Sequence, residues 1–143
     1  MHTFFAYGTL MCPAIMKDVT GLDLRGEPAT LKGFQRCLVR DEVFPAILPA
    51  PGHSVQGMIY QTLTMHAWAR LDHFEGDIYE RQTVSIRLAS GLTAPAGTYV
   101  IAPAHTHLLT DHEWDLDHFL LYGKQHFIAD YRGYASLANK KEM

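Results

Sequence analysis

The chain has 143 residues, 48% of them hydrophobic and 19% charged, so it is long enough for one domain with a sizeable core and too apolar for global disorder. Its formal net charge is −3 and no basic run or face stands out, so nothing in it favours a nucleic-acid partner. No segment reaches the roughly 20 apolar residues of a membrane span, and Met1–Ala6 lacks the pattern of a signal peptide, so we expect a soluble cytoplasmic protein without a membrane partner.

We expect a single domain over residues 1–135 and a flexible tail over residues 136–143. Cys12 and Cys37 are expected to be reduced thiols, because neither lies in a Cys-x-x-Cys motif and the expected compartment is reducing. Cys12 directly precedes Pro13, which favours a packing role at the start of a helix over a role as nucleophile.

The first half of the chain predicts mostly strands. Apolar Phe4-Phe5-Ala6 ends a buried strand, and a short helix follows over residues 13–19, with Pro13 suited to its first turn and Gly21 to its end. Further extended segments are predicted over residues 30–39, 44–49 and 55–63, with an interruption at Gly33 and a turn at residues 51–53.

A central helix is predicted from the capping residue Thr64 to about Phe74, followed by Gly76. Its apolar stripe contains Ala67 and Leu71 at helical spacing. Strands are then predicted over residues 79–88 and 96–101.

The last predicted helix is long and follows Thr110-x-x-Glu113, which has the pattern of a capping box. The residues expected on its apolar stripe are Trp114, Leu120, Leu121, Phe127, Ile128 and Tyr131. Several short strands, few helices and no regular strand–helix alternation favour an α+β fold, with a closed or nearly closed barrel and helices packed on it.

Glu75, at the predicted end of the central helix, is the first candidate for chemistry. The negative end of the helix dipole disfavours a nearby carboxylate, and Phe74 and Ile78 are placed to desolvate it. Asp72 and Asp77 add like charge, so every influence raises the pKa of the carboxyl group towards the range of a general base. The local sequence by itself favours the ordinary alternative, an exposed surface carboxylate.

The second candidate is the loop Tyr7-Gly8-Thr9-Leu10, directly after the first strand. Gly8 permits a backbone conformation in which successive N–H groups point to one side and hold an anion. The alternative is a plain turn with Tyr7 and Leu10 packed in the core. Tyr79 and Arg81 are expected on one face of a strand, where they hold a substrate carboxylate or position Glu75. The equally favoured alternative is a structural ion pair and a packed ring.

The nine histidines include one group whose spacing brings a metal site into consideration. His105 and His107 are separated by one residue, with Asp111 and His112 nearby, but they fall in a predicted loop without a matching ligand cluster elsewhere. We therefore expect no metal and no other cofactor.

The chain resembles the gamma-glutamylcyclotransferase-like proteins, in particular the branch of AIG2-like proteins and gamma-glutamylamine cyclotransferases. The resemblance is specific because modest pieces occur in the family's order and spacing over most of the chain. Phe44 stands where that family usually has tyrosine. The matching pieces are Tyr7-Gly8-Thr9-Leu10, Pro28-Ala29-x-Leu31-x-Gly33-Phe34, Phe44-Pro45-Ala46, Val55-x-Gly57-x-x-Tyr60, Leu71-Asp72-x-Phe74-Glu75-Gly76 and Tyr79-x-Arg81.

The resemblance implies a compact mixed β-barrel with flanking helices and an enzyme of the lyase or acyltransferase type. It implies that Glu75 is the general acid/base and that the backbone of Tyr7, Gly8, Thr9 and Leu10 binds the glutamyl part of a small-molecule gamma-glutamyl substrate. The products would be 5-oxoproline and a free amine or peptide. Two alternatives stay open: a non-catalytic small-molecule binding module of the same fold, and a structural protein in which both motifs only fold the chain. The oligomeric state is not determined by the sequence.

Overall fold

Five strands close into a barrel in the computed structural model, which describes residues 1–131. The strands are β1 Phe4–Ala6, β2 Glu27–Leu38, β3 Pro45–Tyr60, β4 Tyr79–Leu88 and β5 Thr93–Ile101. Their order around the barrel is β1-β3-β2-β4-β5, and neighbouring strands are antiparallel except for β1 and β5, which are parallel. The predicted α+β fold, a mixed barrel with flanking helices, is confirmed.

Helices flank the barrel, and both helices predicted in the first half of the chain are confirmed. The first ends at Gly21, whose φ of 76° is left-handed, and the second begins after Thr64, whose hydroxyl accepts a hydrogen bond from the N–H of Ala67. The helices are α1 Pro13–Thr20, α2 Met65–Glu75, α3 Leu116–His118 and α4 Lys124–Tyr131, with 3₁₀ turns at Thr9–Met11 and Pro103–Leu108 and a π-helical turn at Phe119–Gly123.

Within residues 1–131, no helix has the length and apolar character that crossing a membrane requires. The expected cytoplasmic location stays a prediction. The predicted tail, residues 136–143, lies outside the described residues, as does the last part of the predicted domain, residues 132–135.

The predicted turn at residues 51–53 is wrong, because the chain does not reverse there. Strand β3 runs through this segment and pairs with β2 on both sides of it, so the register shifts between Lys32 and Phe34 instead. Gly33 and Gly52 both have left-handed φ values, 85° and 86°, at this irregularity. The Pro51-Gly52 pair therefore forms part of a β-bulge inside one long strand.

The predicted start of the last helix is also wrong, and its predicted apolar stripe is correct at Trp114 and Phe127 but wrong at three other positions. Thr110 does not cap it, since its hydroxyl donates to the carbonyl of Leu38, and the helix instead begins after Asp115. The π-helical turn adds a residue to the period and changes which face is buried. The buried residues of this region are Trp114, Phe119, Gly123 and Phe127, while Leu120, Leu121 and Ile128 are exposed, and the side chain of Tyr131 is outside the described part of the chain.

Strand β1 is buried on both faces, which places the loop that follows it near the centre of the molecule. Phe5 belongs to a cluster contributed by all five strands, which fills the barrel. Phe4 and Ala6, on the opposite face, pack in a second cluster with residues of α1 and α2. A short strand fixed from both sides holds its C-terminal loop in a defined position.

Candidate active site

A cavity of about 320 Å³ opens where β1 ends. Its walls come from regions that are distant in sequence: β1 and the loop after it, the segment between β2 and β3, the end of α2 with the start of β4, one residue each of β5 and the second 3₁₀ turn, and the last helix. The fold therefore brings together Glu75 and all four predicted loop residues. The lining residues are Phe4, Phe5, Ala6, Tyr7, Gly8, Thr9, Leu10, Val39, Arg40, Glu42, Phe44, Pro45, Phe74, Glu75, Ile78, Tyr79, Tyr99, Leu108 and Phe127.

Glu75 is the last residue of α2 and is partly buried in the cavity wall. Burial raises the pKa of its carboxyl group from 4.5 to about 8, and the negative charge of Asp72, one turn earlier, adds to the shift. The sequence predicted this direction and both causes. Asp77, which the sequence also implicated, is exposed and is not among the causes.

Residues Tyr7–Leu10, the anchor loop, have a one-sided hydrogen-bond pattern. All four of their carbonyl oxygens accept hydrogen bonds from the protein. At the two ends the donors are Arg36 Nη1, 2.9 Å from the first oxygen, and the Tyr60 hydroxyl, 2.8 Å from the last. Between them the donors are the backbone N–H groups of Met11 and Cys12, each at 3.0 Å.

The N–H groups of the anchor loop are in the opposite situation. Among the described residues, no acceptor takes the N–H of Gly8, Thr9 or Leu10. Three neighbouring donors without acceptors, in residues that line a cavity, are suited to an anion. Gly8 is required here by space, because a Cβ atom at this position would lie 2.9 Å from Cγ of Pro45.

Tyr7 and Tyr99 connect the anchor loop to the surroundings of Glu75. The Tyr7 hydroxyl donates to the carbonyl of Tyr99 at 2.6 Å, and the Tyr99 hydroxyl donates to Oδ1 of Asp72 at 2.6 Å. Burial, followed by the charge of Glu75, raises the pKa of Tyr7 well above its usual value, so its phenol stays protonated.

Tyr79 and Arg81 are placed differently from each other. Tyr79 lines the cavity, and its hydroxyl donates to the carbonyl of Pro45 at 2.7 Å. Arg81 is not among the residues that line this cavity. Its Nε lies 3.6 Å from Oδ1 of Asp72 and its guanidinium lies 4.7 Å from the ring centroid of Trp68, which matches the structural ion pair that the sequence left open.

Arg36, Tyr99 and Phe127 are three site residues that sequence reasoning missed. Each reaches the site through contacts with residues far away along the chain, and no local motif marks them. Phe127 was placed on the predicted helix stripe but not in the site. The spacing of Phe119, Gly123 and Phe127, four residues apart, is the signal that identifies the buried face correctly.

The histidine-rich segment lies in a 3₁₀ turn at the edge of the molecule, with the rings of His105 and His107 6.4 Å apart. Across residues 1–131, no three His, Cys, Asp or Glu side chains come together as ligands of a metal ion. Cys12 and Cys37 are both buried and are not paired with each other.

A family model described as Gamma-glutamyl cyclotransferase, AIG2-like, matches residues 4–116. AIG2-like protein D of Arabidopsis thaliana is 34% identical over 88 residues, which cover 62% of this chain and 58% of that protein. The chain spans about half the length of the curated relatives it matches first.

Solved structures share the fold. A solution structure from Arabidopsis thaliana superposes with a TM-score of 0.67 at 27% identity, covering 96% of this chain and 92% of that one. The crystal structure of an AIG2-like protein from Mus musculus has a TM-score of 0.63 at 23% identity, covering 80% and 88% of the two chains.

The raised pKa of Glu75 predicts that the free energy of unfolding of Glu75→Gln differs from that of the unsubstituted protein by an amount that depends on pH. The folded protein keeps this carboxyl protonated up to about pH 8, whereas the unfolded chain releases the proton near 4.5, so this group destabilises the native state progressively as the pH rises between those values. Glu75→Gln removes the effect. We expect the free energy of unfolding of the variant to exceed that of the unsubstituted protein by about 2–4 kcal/mol at pH 8.5. At pH 4.5 the two free energies should be about equal.

Urea unfolding at several pH values measures this difference. Glu27→Gln, at an exposed carboxylate of β2, is the matched control and is expected to show no comparable trend. A Glu75→Gln difference that does not grow with pH would contradict the assignment of a buried, protonated carboxyl group.

Proposed function

Because the chain belongs to the Gamma-glutamyl cyclotransferase, AIG2-like family, we propose that it cyclises a gamma-glutamyl amine or peptide to 5-oxoproline and releases the free amine. The observation that carries the proposal is one shared cavity. Glu75, with a carboxyl pKa of about 8, lines it together with the anchor loop and its three N–H groups without acceptors. A proton acceptor and an anion site within one small cavity are the two parts that this reaction needs.

The anchor loop would bind the α-carboxylate of the glutamyl group. Its carbonyl oxygens are already occupied within the protein, so the loop presents donors and few free acceptors to the cavity. Backbone N–H groups fixed in this way bind an anion at little cost in conformational entropy. The rigid hold of Arg36 and Tyr60 on the two ends of the loop keeps the donors in place.

Glu75 would act first as a base and then as an acid. In its ionised form it takes a proton from the α-ammonium group of the substrate, and the freed amine attacks the γ-carbonyl carbon of the same molecule. The tetrahedral intermediate then expels the leaving nitrogen, which takes the proton back from Glu75 as the C–N bond breaks. The ring nitrogen still carries two hydrogens, so it gives its second proton to the re-ionised Glu75, from which this proton passes to the released amine. A pKa near 8 suits both steps because neither transfer is strongly uphill.

The nucleophile in this reaction belongs to the substrate. Ring closure to a five-membered lactam is intramolecular, so holding the substrate folded supplies a large part of the rate enhancement. The protein's tasks are to bind the carboxylate, fold the chain of the glutamyl group and move one proton. The cavity is lined by a group for two of these tasks: the anchor loop for binding the carboxylate and Glu75 for moving the proton.

Glu75→Gln tests the assigned base. The amide keeps the size of the side chain and cannot take up the proton, so we expect 5-oxoproline release to fall roughly 10³-fold in kcat with a small change in KM. Release of 5-oxoproline from a panel of gamma-glutamyl amides and dipeptides is the measurement. Glu80→Gln, at an exposed position on β4, is the control that keeps full activity. Equal activity of Glu75→Gln and the unsubstituted protein would overturn the mechanism.

The pH profile tests the cause of the raised pKa. For the unsubstituted protein we expect kcat/KM to rise with pH, with an inflection near pH 8 and a plateau above it, since the base must be ionised in the free protein. Asp72→Asn removes the like charge beside Glu75, so its inflection should move to lower pH.

Asp77→Asn serves as the matched control, because Asp77 is two residues from Glu75 but exposed and not a cause of its shift. Its profile should coincide with that of the unsubstituted protein. The same inflection in Asp72→Asn and Asp77→Asn, or an inflection near 4.5, would be inconsistent with Glu75 as a base tuned by Asp72.

A further inference from the structure

The anchor loop and Glu75 account for only part of the cavity wall. Phenyl rings from three separate elements make up another part. The ring of Phe127 in α4 lies 6.4 Å from that of Phe44, before β3, and 6.0 Å from that of Phe74 in α2, measured between centroids. Ile78 and Leu108 extend this apolar surface at the cavity.

We infer that the amine released from the substrate is apolar and carries an aromatic ring or a similarly bulky group. The inference rests on the proposed function and defines the substrate class of that same site. During the reaction the leaving nitrogen must be close to Glu75, and Phe74, its neighbour in the chain, lines the same cavity. The group attached to that nitrogen therefore meets the apolar wall.

Charged residues of the cavity do not favour an ionic leaving group. Arg40 and Glu42 both line it, but they have opposite signs and both are exposed. A cation or a second carboxylate on the leaving group would meet one attractive and one repulsive exposed charge, in contact with solvent that screens both. Burying a ring against the apolar wall is favourable and meets no opposing repulsion. Edge-to-face contacts between aromatic rings add to this binding free energy.

Three amides of glutamate's γ-carboxyl group test the inference: the methylamide, the 2-phenylethylamide and the mono-amide of 1,4-diaminobutane, which is cationic. We expect kcat/KM for the phenylethylamide to exceed that of each of the other two roughly 10-fold or more, which is the order expected for burying one phenyl ring. Release of 5-oxoproline is followed for each compound.

Variants of the apolar wall test where the preference arises. Phe127→Ala should reduce the preference for the phenylethylamide over the methylamide, and Leu121→Ala, an exposed position on the same helical stretch, should not. Because Phe127 also packs in the core, Leu108→Glu is a second variant at a half-buried wall position. It should shift selectivity towards the cationic amide.

The outcomes separate the two proposals. If neither the three amides nor the gamma-glutamyl dipeptides of the panel yield 5-oxoproline, the proposed function fails. If 5-oxoproline forms but the methylamide or the cationic amide is the best substrate, or if both wall variants keep the original selectivity, the function stands and the inference about the leaving group is overturned.

A separate observation concerns Arg36, whose side chain is only 13% exposed. Its Nη1 donates to the carbonyl oxygens of Tyr7 and Gln56, at 2.9 Å each, and its guanidinium lies 5.4 Å from the ring centroid of Trp114. Nη2 lies 3.7 Å from Oε1 of Glu113. The guanidinium is therefore held against the rear of the anchor loop.

We propose that Arg36 is a positioning residue for the substrate's α-carboxylate. The carbonyl of Tyr7 and the N–H of Gly8 belong to one peptide unit. A charged donor on the carbonyl oxygen polarises that unit and makes the N–H a stronger donor to an anion. Arg36 thus strengthens the anchor from the side that the substrate does not touch.

Arg36→Met should raise KM for the best amide at least roughly 10-fold while kcat changes less than about 3-fold, because the lost interaction is the same in the ground state and the transition state. The KM of Arg36→Lys should lie between those of the unsubstituted protein and Arg36→Met. One ammonium group supplies the charge but lacks the planar geometry that serves two carbonyl oxygens. Arg70→Met is the control, because Arg70 donates to the carbonyl of Val19 at the end of α1 and is not among the cavity's lining residues.

Binding of glutamate, measured by calorimetry on the folded variants, gives a second readout that needs no turnover. It should weaken in Arg36→Met and stay unchanged in Arg70→Met. A purely structural role of Arg36 would lower the fraction of active protein and hence the apparent kcat, leaving KM and the glutamate affinity of the folded fraction unchanged. That result would overturn the proposal.

Discussion

A partly buried carboxyl group at the end of α2 is the constraint on which the rest of the site depends. Ionising Glu75 in its place is unfavourable because of burial and the nearby charge of Asp72, and this raises its pKa to about 8. The native state loses stability at neutral pH for this reason, and the same property makes the group useful for proton transfer. The capped start of α2 and the packing of Leu71 hold its last residue in this position.

In the anchor loop the carbonyl oxygens and the N–H groups differ in their hydrogen bonds. Side chains from β2 and β3, Arg36 and Tyr60, take the outer carbonyl oxygens, and the next turn of the backbone takes the inner ones. The N–H groups of Gly8, Thr9 and Leu10, which line the cavity, have no acceptors among the described residues. A loop with this pattern favours an anion, in agreement with the proposed binding of a glutamyl carboxylate.

Aromatic hydroxyls supply much of this order. Tyr7, Tyr60, Tyr79 and Tyr99 each donate to an oxygen of the protein near the cavity, so each ring is fixed in orientation as well as packed. These bonds join the anchor loop to β5 and to β3, β4 to β3, and β5 to α2. The apolar part of the cavity, in contrast, is built from phenylalanine rings that have no hydroxyl to direct a polar partner.

The parts of the protein that sequence reasoning predicted are those governed by neighbours along the chain. The start of α2 at Thr64, its end before Gly76 and the glycine loop after β1 follow from local capping and turn rules. The direction of the pKa shift of Glu75 follows from apolar and charged neighbours in the sequence. The sequence did not reveal residues whose roles depend on partners far away in the chain. Arg36 and Tyr7, which share a hydrogen bond, are 29 positions apart, and Tyr7 and Tyr99, which share another, are 92 positions apart. The last helix was misread because a π-helical turn changes the period on which the prediction relied.

The sequence by itself thus determined the type of fold, the family and the identity of an acidic residue and an anion-binding loop as candidates. Only the tertiary structure decided that they line the same cavity, that Arg81 pairs with Asp72 outside it, and that phenyl rings from three elements form its remaining wall. The physical reason is that local propensities act over a few residues, whereas barrel closure sets distances between segments that are far apart in the chain.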